Sequence, residues 1–221
     1  MIQDTEQQAR ARLAERYQTT PAVFARLEVH LQTLATWNDQ INLVGPNELQ
    51  HYWSRHALDC AQLIGMAQPG STRWIDLGSG AGFPGLVIAA YLKDIPGASV
   101  DLVEKSPKKG QFLTAAGIAM DVPIRVLPVR AEVLPDTPYD VVTARAFAPL
   151  PRLIEHAKRY LTRGATGLFP KGSNYQSELA AAGFSPRGGA YIQGSMRAEV
   201  LESISNPDAR VLRIQSIASE A

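Results

Sequence analysis

Asp76-Leu77-Gly78-Ser79-Gly80-Ala81-Gly82-Phe83-Pro84-Gly85 is the stretch on which the fold turns. It follows the apolar run Trp74-Ile75 and precedes another, Leu86 to Leu92, that reads as a helix. Between a strand and a helix, glycines let the backbone turn tightly and approach a nucleotide closely. The ligand then lies at the carboxyl ends of parallel strands, where the strand order reverses. Pro84 suits the first turn of the helix that follows. A dinucleotide turn is spaced Gly-x-Gly-x-x-Gly and seats a diphosphate on the helix N-terminus. Here the spacing is Gly78-x-Gly80-x-Gly82, and Asp76 stands at the strand end. A carboxylate there repels diphosphate and can receive an ammonium group. S-adenosylmethionine carries an ammonium and no phosphate, so it is the expected cofactor. NAD and a turn without any ligand are the alternatives.

Outward from this turn, short β-rich runs alternate with helical stretches. Ser99 to Glu104, Ile124 to Leu127, Tyr139 to Ala144 and Gly167 to Phe169 read as strands. Lys108 to Met120 and Leu153 to Leu161 read as helices. Such alternation implies βαβ units and a mainly parallel sheet. Arg197 to Ser205 and Arg210 to Ile217 flank the turn Asn206-Pro207-Asp208, so they pair antiparallel. The expected fold is α/β, Rossmann-like, with a parallel sheet closed by a C-terminal antiparallel hairpin: the class I methyltransferase outline. Residues 1–70 differ. Leu27, Leu31, Leu34 and Ile41 recur at helical spacing, and Thr20-Pro21 resembles an N-cap with proline at the first helical position. Gln68-Pro69-Gly70 is a turn. Two units are expected: an N-terminal helical extension, 1–70, and a Rossmann-like methyltransferase domain, 71–221.

With 221 residues, 45% of them apolar, the chain can bury a sizeable core. It has no apolar run of roughly 18 residues, so no membrane span is expected. Its polar start lacks the apolar segment of a secretory signal. Cys60, the single cysteine, excludes an intramolecular disulfide and reads as a small buried residue. A reducing cytoplasm is the expected compartment. No histidines and carboxylates stand at metal-ligand spacing, so no metal is expected. A monomer is the expected state. The net charge of +1 does not announce a nucleic-acid binder. Its distribution says more: residues 100–171 hold eleven Lys/Arg against seven Asp/Glu, residues 1–60 five against seven. A basic face on the later part of the chain is compatible with that.

Glu104 ends the second strand, where an acidic side chain accepts hydrogen bonds from both ribose hydroxyls of a nucleoside. Asp76 to Gly85 resembles the cofactor loop of the bacterial 16S ribosomal RNA guanine-N7 methyltransferases, the glucose-inhibited division protein B family. Trp37-Asn38-x-x-Ile41-Asn42-Leu43, Arg55-His56-x-Leu58-Asp59, Arg145-Ala146-Phe147-Ala148 and Phe169-Pro170-Lys171-Gly172 resemble further family segments, in order. The resemblance runs from about Trp37 to Gly172. It implies S-adenosylmethionine as cofactor and a guanine N7 of 16S ribosomal RNA, free or in the small subunit, as substrate. By that likeness Gly78 and Phe83 line the cofactor pocket, and Ala131 and Glu132 border the adenine; the glycine turn itself adds Asp76, Ser79, Gly80 and Gly82 as expected cofactor contacts. Arg145 reaches the cofactor or the target base. Glu104 stands where many members carry Asp.

Guanine N7 has an in-plane lone pair and no proton, so it can attack a sulfonium methyl with no general base. Holding the reacting atoms in line is the enzyme's main task. The Asn/Asp-Pro-Pro-aromatic motif of amino-group methyltransferases is absent; Ala144 to Pro149 occupies its place. Arg145 is the catalytic candidate, because a guanidinium can donate to guanine or phosphate in fork geometry. Phe147 can stack on a flipped base or fill the core. Lys171 and Arg130, with Lys105, Lys108 and Lys109, can meet RNA phosphate. Arg55, His56 and Asp59 read as a structural cluster fixing the N-terminal helices near the site. Three other functions stay open: a small-molecule or protein methyltransferase, a non-enzymatic RNA-binding module, and a NAD-dependent oxidoreductase.

Overall fold

The computed structural model describes residues 4–134 and 137–217. The first three residues of the expected extension and the last four of the expected methyltransferase domain lie outside the described residues. Helix α1, Glu6–Tyr17, opens on a capping box: Thr5 accepts from Gln8 N, and the Gln8 side chain accepts from Thr5 N. Helix α2, Pro21–Asn38, is N-capped by the Thr20 hydroxyl, with proline in its first turn. A 3-10 turn, Leu49–His51, and one wide π-helical turn, Tyr52–Ala57, lead into α3, Leu58–Met66.

Strands and helices then alternate: β1 Arg73–Leu77, α4 Gly85–Leu92, β2 Ser99–Val103, α5 Pro107–Met120, β3 Ile124–Leu127, β4 Val141–Thr143, α6 Leu150–Leu161, β5 Thr166–Lys171 and α7 Tyr175–Ala181. Four antiparallel strands finish the chain: β6 Ser185–Arg187, β7 Ala190–Gln193, β8 Met196–Glu202 and β9 Arg210–Ser216. All nine join one sheet in the order β3-β2-β1-β4-β5-β9-β8-β7-β6. Strands β1 to β5 run parallel, and β9 pairs antiparallel with β5. The expected hairpin is β8–β9, in register from Met196↔Ser216 to Glu202↔Arg210. Strands β6 and β7 extend it. They are three and four residues long, too short for alternation to reveal, and every residue of β6 is exposed.

Alternate strand residues face opposite layers, as the pleat requires. Trp74, Val100, Leu102, Val141 and Leu168 pack with α1 to α5 on one face. Ile75, Val103, Val142 and Phe169 pack with α6 and α7 on the other. A sheet covered on both faces accounts for its near-continuous apolar strands. Ala9, Leu13, Val23, Leu27 and Leu34 of α1 and α2 belong to the same buried cluster as α4 and α5. The N-terminal helices therefore share a core with the sheet. Cys60 lies within it, free and buried. Among the described residues no helix is long and apolar enough to cross a membrane, and no cluster of metal-binding side chains occurs.

Candidate active site

The strand order reverses between β1 and β4, and at their carboxyl ends a cleft of about 510 Å³ opens. Gly78, Ser79 and Gly80 form one wall. Gly78 N and Ser79 N both donate to Val103 O, at 2.8 and 3.0 Å, which bends the chain across the end of β2. Gly78 sits at φ +74, and a Cβ there would come within 2.4 Å of the Phe147 ring. Only glycine allows this wall. Glu104 is buried, and its two carboxylate oxygens accept from Gly80 N (3.1 Å) and Ser106 N (2.8 Å). Each oxygen keeps a lone pair for a ligand hydroxyl. Val129, Arg130, Ala131 and Glu132 line the cleft after β3. A buried carboxylate with acceptor capacity to spare, a glycine wall and this volume fit S-adenosylmethionine.

Two residues read as cofactor contacts are placed elsewhere. Asp76 is 1% exposed and does not line the cleft. Its Oδ2 accepts from Gly85 N (3.2 Å) and its Oδ1 from the Thr143 hydroxyl (3.1 Å). Burial pushes its carboxyl up to about 6, against these hydrogen bonds. It braces the turn from beneath. Gly82 is also off the wall: a Cβ there, at φ +84, would come within 2.4 Å of Leu86 Cδ1, so it lets the turn close onto α4.

Two supports for the turn come from the N-terminal helices. His30 is fully buried; its Nε2 lies 3.0 Å from Ala81 O and its Nδ1 3.0 Å from the Tyr52 hydroxyl. A carbonyl only accepts, so Nε2 donates and Nδ1 accepts from Tyr52. Burial pushes this imidazole down to about 4. Asn38 Oδ1 accepts from Leu43 N (2.9 Å) and Val44 N (3.0 Å), which swings Leu43 and Val44 into the cleft lining. The asparagine of the segment Trp37 to Leu43 thus has a local reason to be there.

Arg145 follows β4. Its guanidinium donates to Asp59 Oδ2 (3.2 Å) and His56 Nδ1 (2.8 Å), and lies 5.0 Å above the Phe83 ring. Arginine cannot accept, so His56 Nδ1 is the acceptor and the proton is on Nε2. That Nε2 lies 3.0 Å from Glu48 Oε2, but off the axis of a formed hydrogen bond. His56 stacks on Phe83 at 4.5 Å. Burial, with the Arg145 and Arg55 guanidiniums, pushes it down to about 3. The next residue, Ala146, takes φ +53, a conformation rare for a side chain with a Cβ and concentrated at functional sites. Phe147 then turns its ring over Gly78 and edge-on to His156.

Residues 145–149 also line a second, larger cleft of about 1350 Å³. Its other walls are Arg12, Arg55, His56, Asp59, the β5–α7 loop with Lys171, and the β8–β9 loop, 203–209. Lys171, expected to be free for phosphate, is engaged: Nζ donates to Glu178 Oε2 (2.6 Å) and Ala148 O (3.3 Å). Glu178 also accepts from Leu150 N at the start of α6. Arg130, Lys105 and Lys109 line the first cleft, and none makes an ion pair among the described residues. Lys108 lines neither cleft. Sequence reasoning missed Gln62, Glu178, Ser203 and Ser205, which carry no local pattern.

This fold, with a nucleoside-sized cleft at the switch point, is that of a class I S-adenosylmethionine-dependent methyltransferase. An MtNAS mutant solved with S-adenosylmethionine superposes with a TM-score of 0.56 at 15% identity, over 98% of this chain and 85% of that one. A SAM-dependent methyltransferase from Aquifex aeolicus superposes with a TM-score of 0.54 at 13% identity, over 85% and 98%. These likenesses bear on the fold alone. The profile of the GidB family, rRNA small subunit methyltransferase G, matches residues 24–195, and the chain belongs to that family. A Ribosomal RNA small subunit methyltransferase G of Caulobacter vibrioides is 42% identical over 83% of this chain and 81% of its own. The one of Rhodospirillum rubrum is 43% identical over 87% and 90%.

Proposed function

We propose that this enzyme methylates N7 of a guanine in 16S ribosomal RNA, with S-adenosylmethionine in the first cleft and the target base in the second. The observation that carries this reading is the shared wall: residues 145–149 face both cavities, so methyl donor and acceptor meet across one short segment. Gly78, Ser79, Gly80, Phe83, Glu104, Ala131 and Glu132 hold the cofactor; Asp76 and Gly82 shape the turn that holds it. When bound, S-adenosylmethionine supplies a sulfonium methyl open to in-line attack.

The chain's own residues orient and exclude water. Arg145, anchored by Asp59 and His56, presents its remaining N–H groups at the junction of the clefts. Phe147 offers a ring edge or face to a base taken out of its stack. His56 cannot serve as a general base at neutral pH while its acceptor nitrogen holds Arg145. None is needed, because guanine N7 carries no proton. Arg130, Lys105 and Lys109 meet phosphate at the rim. The enzyme acts as a monomer in the cytoplasm.

Mass mapping of 16S ribosomal RNA after incubation with enzyme and cofactor tests the assignment: a new methyl at one guanine, sensitive to N7-specific strand scission, is expected. Single-turnover rates should be flat from about pH 7 to 9. A methyl on an exocyclic amine, or a rate that climbs across that range, would refute it.

A further inference from the structure

The β8–β9 loop, 203–209, contributes seven consecutive residues to the second cleft, and what holds it there is not the sheet. Pairing of β8 with β9 stops at Glu202↔Arg210. Beyond that, the loop hangs on helix α3. Ile204 N donates to Gln62 Oε1 (3.1 Å), and Gln62 Nε2 lies 3.3 Å from Ser203 Oγ. Gln62 is 1% exposed and Ser203 9%, so these are committed contacts. Ser205 Oγ donates to Asp59 Oδ1 (2.8 Å), which also accepts from Gln62 Nε2 (2.8 Å). The other oxygen of the same carboxylate, Oδ2, holds Arg145.

Asp59 therefore divides its two oxygens between two machines. One fixes the loop that walls the base cleft, 146 positions away in the chain; the other fixes the guanidinium at the junction with the cofactor cleft, 86 positions away. We infer that the β8–β9 loop is the element that recognises the RNA around the target nucleotide, and that Asp59 is the positioning residue setting its register against Arg145. The loop suits that role chemically. Asn206 and Asp208 stand on it beside a proline turn, and Asn206 Oδ1 accepts from Asp208 N, which stiffens the tip. Amide and carboxylate groups can pair with the donor-rich edge of guanine that stays free when N7 faces the methyl. This inference rests on the RNA-methylating reading above.

Two variants separate the arms. Ser205→Ala cuts the loop's bond to Asp59 and leaves Arg145 anchored. Asp59→Asn keeps an acceptor oxygen for Ser205 but turns a neutral amide toward Arg145. With small ribosomal subunits as substrate, Ser205→Ala should raise the half-saturating RNA concentration without changing the single-turnover rate at saturation. Asp59→Asn should lower that rate about tenfold or more. Both should bind S-adenosylmethionine as the wild type does and melt within a few degrees of it. The double variant should depart from additivity by more than about twofold, since the two arms share one carboxylate.

Additive effects, or effects that arrive as lost cofactor affinity, would overturn the coupling. Unchanged kinetics in both variants would overturn the proposal while the wild type's methylation of the same subunits left the functional reading standing. No methylation by the wild type would overturn the functional reading, and the loop's role with it.

Discussion

The two clefts share residues 145–149 and little else. The first is built by backbone: glycine conformations, amide N–H groups and one buried carboxylate, drawn from 78–81, 103–105 and 129–132, with a contribution from 43–44. Its rim cations Lys105, Lys109 and Arg130 are unpaired among the described residues. The second is built by side chains from five separated regions, and its cations are satisfied internally. Arg12 pairs with Asp4 at 3.1 Å, Arg55 with Glu48 at 2.8 Å, Arg145 with Asp59 at 3.2 Å and Lys171 with Glu178 at 2.6 Å. A small ligand of constant shape calls for a rigid backbone mould. A substrate that must be opened and read is met by a lattice of polar side chains.

The largest expected effect strikes the backbone mould. Gly78→Val forces a branched side chain into φ +74 and against Phe147. S-adenosylmethionine affinity should fall by at least about a thousandfold, or ~4 kcal/mol, measured by calorimetry. Near-normal binding would mean that the turn adapts, and that the wall is no mould.

That asymmetry also sets what could be read in advance. Asp76 to Gly85 and Glu104 are local in sequence, and their spacing alone reports a strand, a turn and a ligand. The same pattern does not place Asp76 or Gly82, because spacing does not say which way a buried carboxylate or a missing Cβ faces. The Gly85 amide and the Thr143 hydroxyl, the latter 67 positions from Asp76, claim its oxygens. The second cleft was legible only through Arg145, Phe147, Lys171 and the cluster Arg55, His56 and Asp59. Gln62, Ser203 and Ile204 lie up to 142 positions apart and acquire meaning only when β9 folds back beside β5. Strands β6 and β7 and helix α7 were hidden by shortness: seven residues at most.

Acid should act on both clefts through different histidines. His30 braces the first at Ala81, and His56 braces the second at Arg145. Both are held low, near 4 and near 3, against 6.5 in the unfolded chain. The unfolded chain thus binds protons that the folded one refuses. Their stabilisation is complete above about pH 6.5 and drains away as pH falls toward those lower values. Asp76, held high near 6, works the other way: its ionisation costs stability as pH rises through 6, so it offsets part of the loss. The His30 contribution alone is roughly 3 kcal/mol by pH 4. In urea unfolding followed from pH 7 to 4.5, His30→Phe should show a shallower decline than the wild type. An identical decline would show that His30 is not held neutral.

Lys171→Ala tests whether the clefts are separable. It removes the partner of Glu178 and of the Ala148 carbonyl, on the second-cleft side of the shared segment. Methylation efficiency should drop about tenfold, with cofactor affinity unchanged. Equal losses in both would mean that residues 145–149 move as one body and that the division between backbone mould and side-chain lattice is false.

The smallest effect concerns salt. A phosphate neutralised by a free cation releases counterions, and each such contact adds roughly 0.7–0.9 to the slope of log affinity against log salt. Among the described residues Arg130, Lys105 and Lys109 have no ion pair to leave, so each can take a phosphate at once. Arg12 and Arg55 must first abandon Asp4 and Glu48, and the pair as a whole carries no net charge. Binding of 16S ribosomal RNA should therefore lose about one unit of slope in Arg130→Ala and much less in Arg12→Ala, with affinity at low salt falling only a few-fold. Filter binding across a salt series distinguishes the two. Should Arg12→Ala flatten the slope as much as Arg130→Ala, the paired cations of the second cleft do exchange their carboxylates for phosphate. The RNA backbone would then lie in the cleft assigned here to the base, and the contrast between the two walls would be one of resting state and not of task.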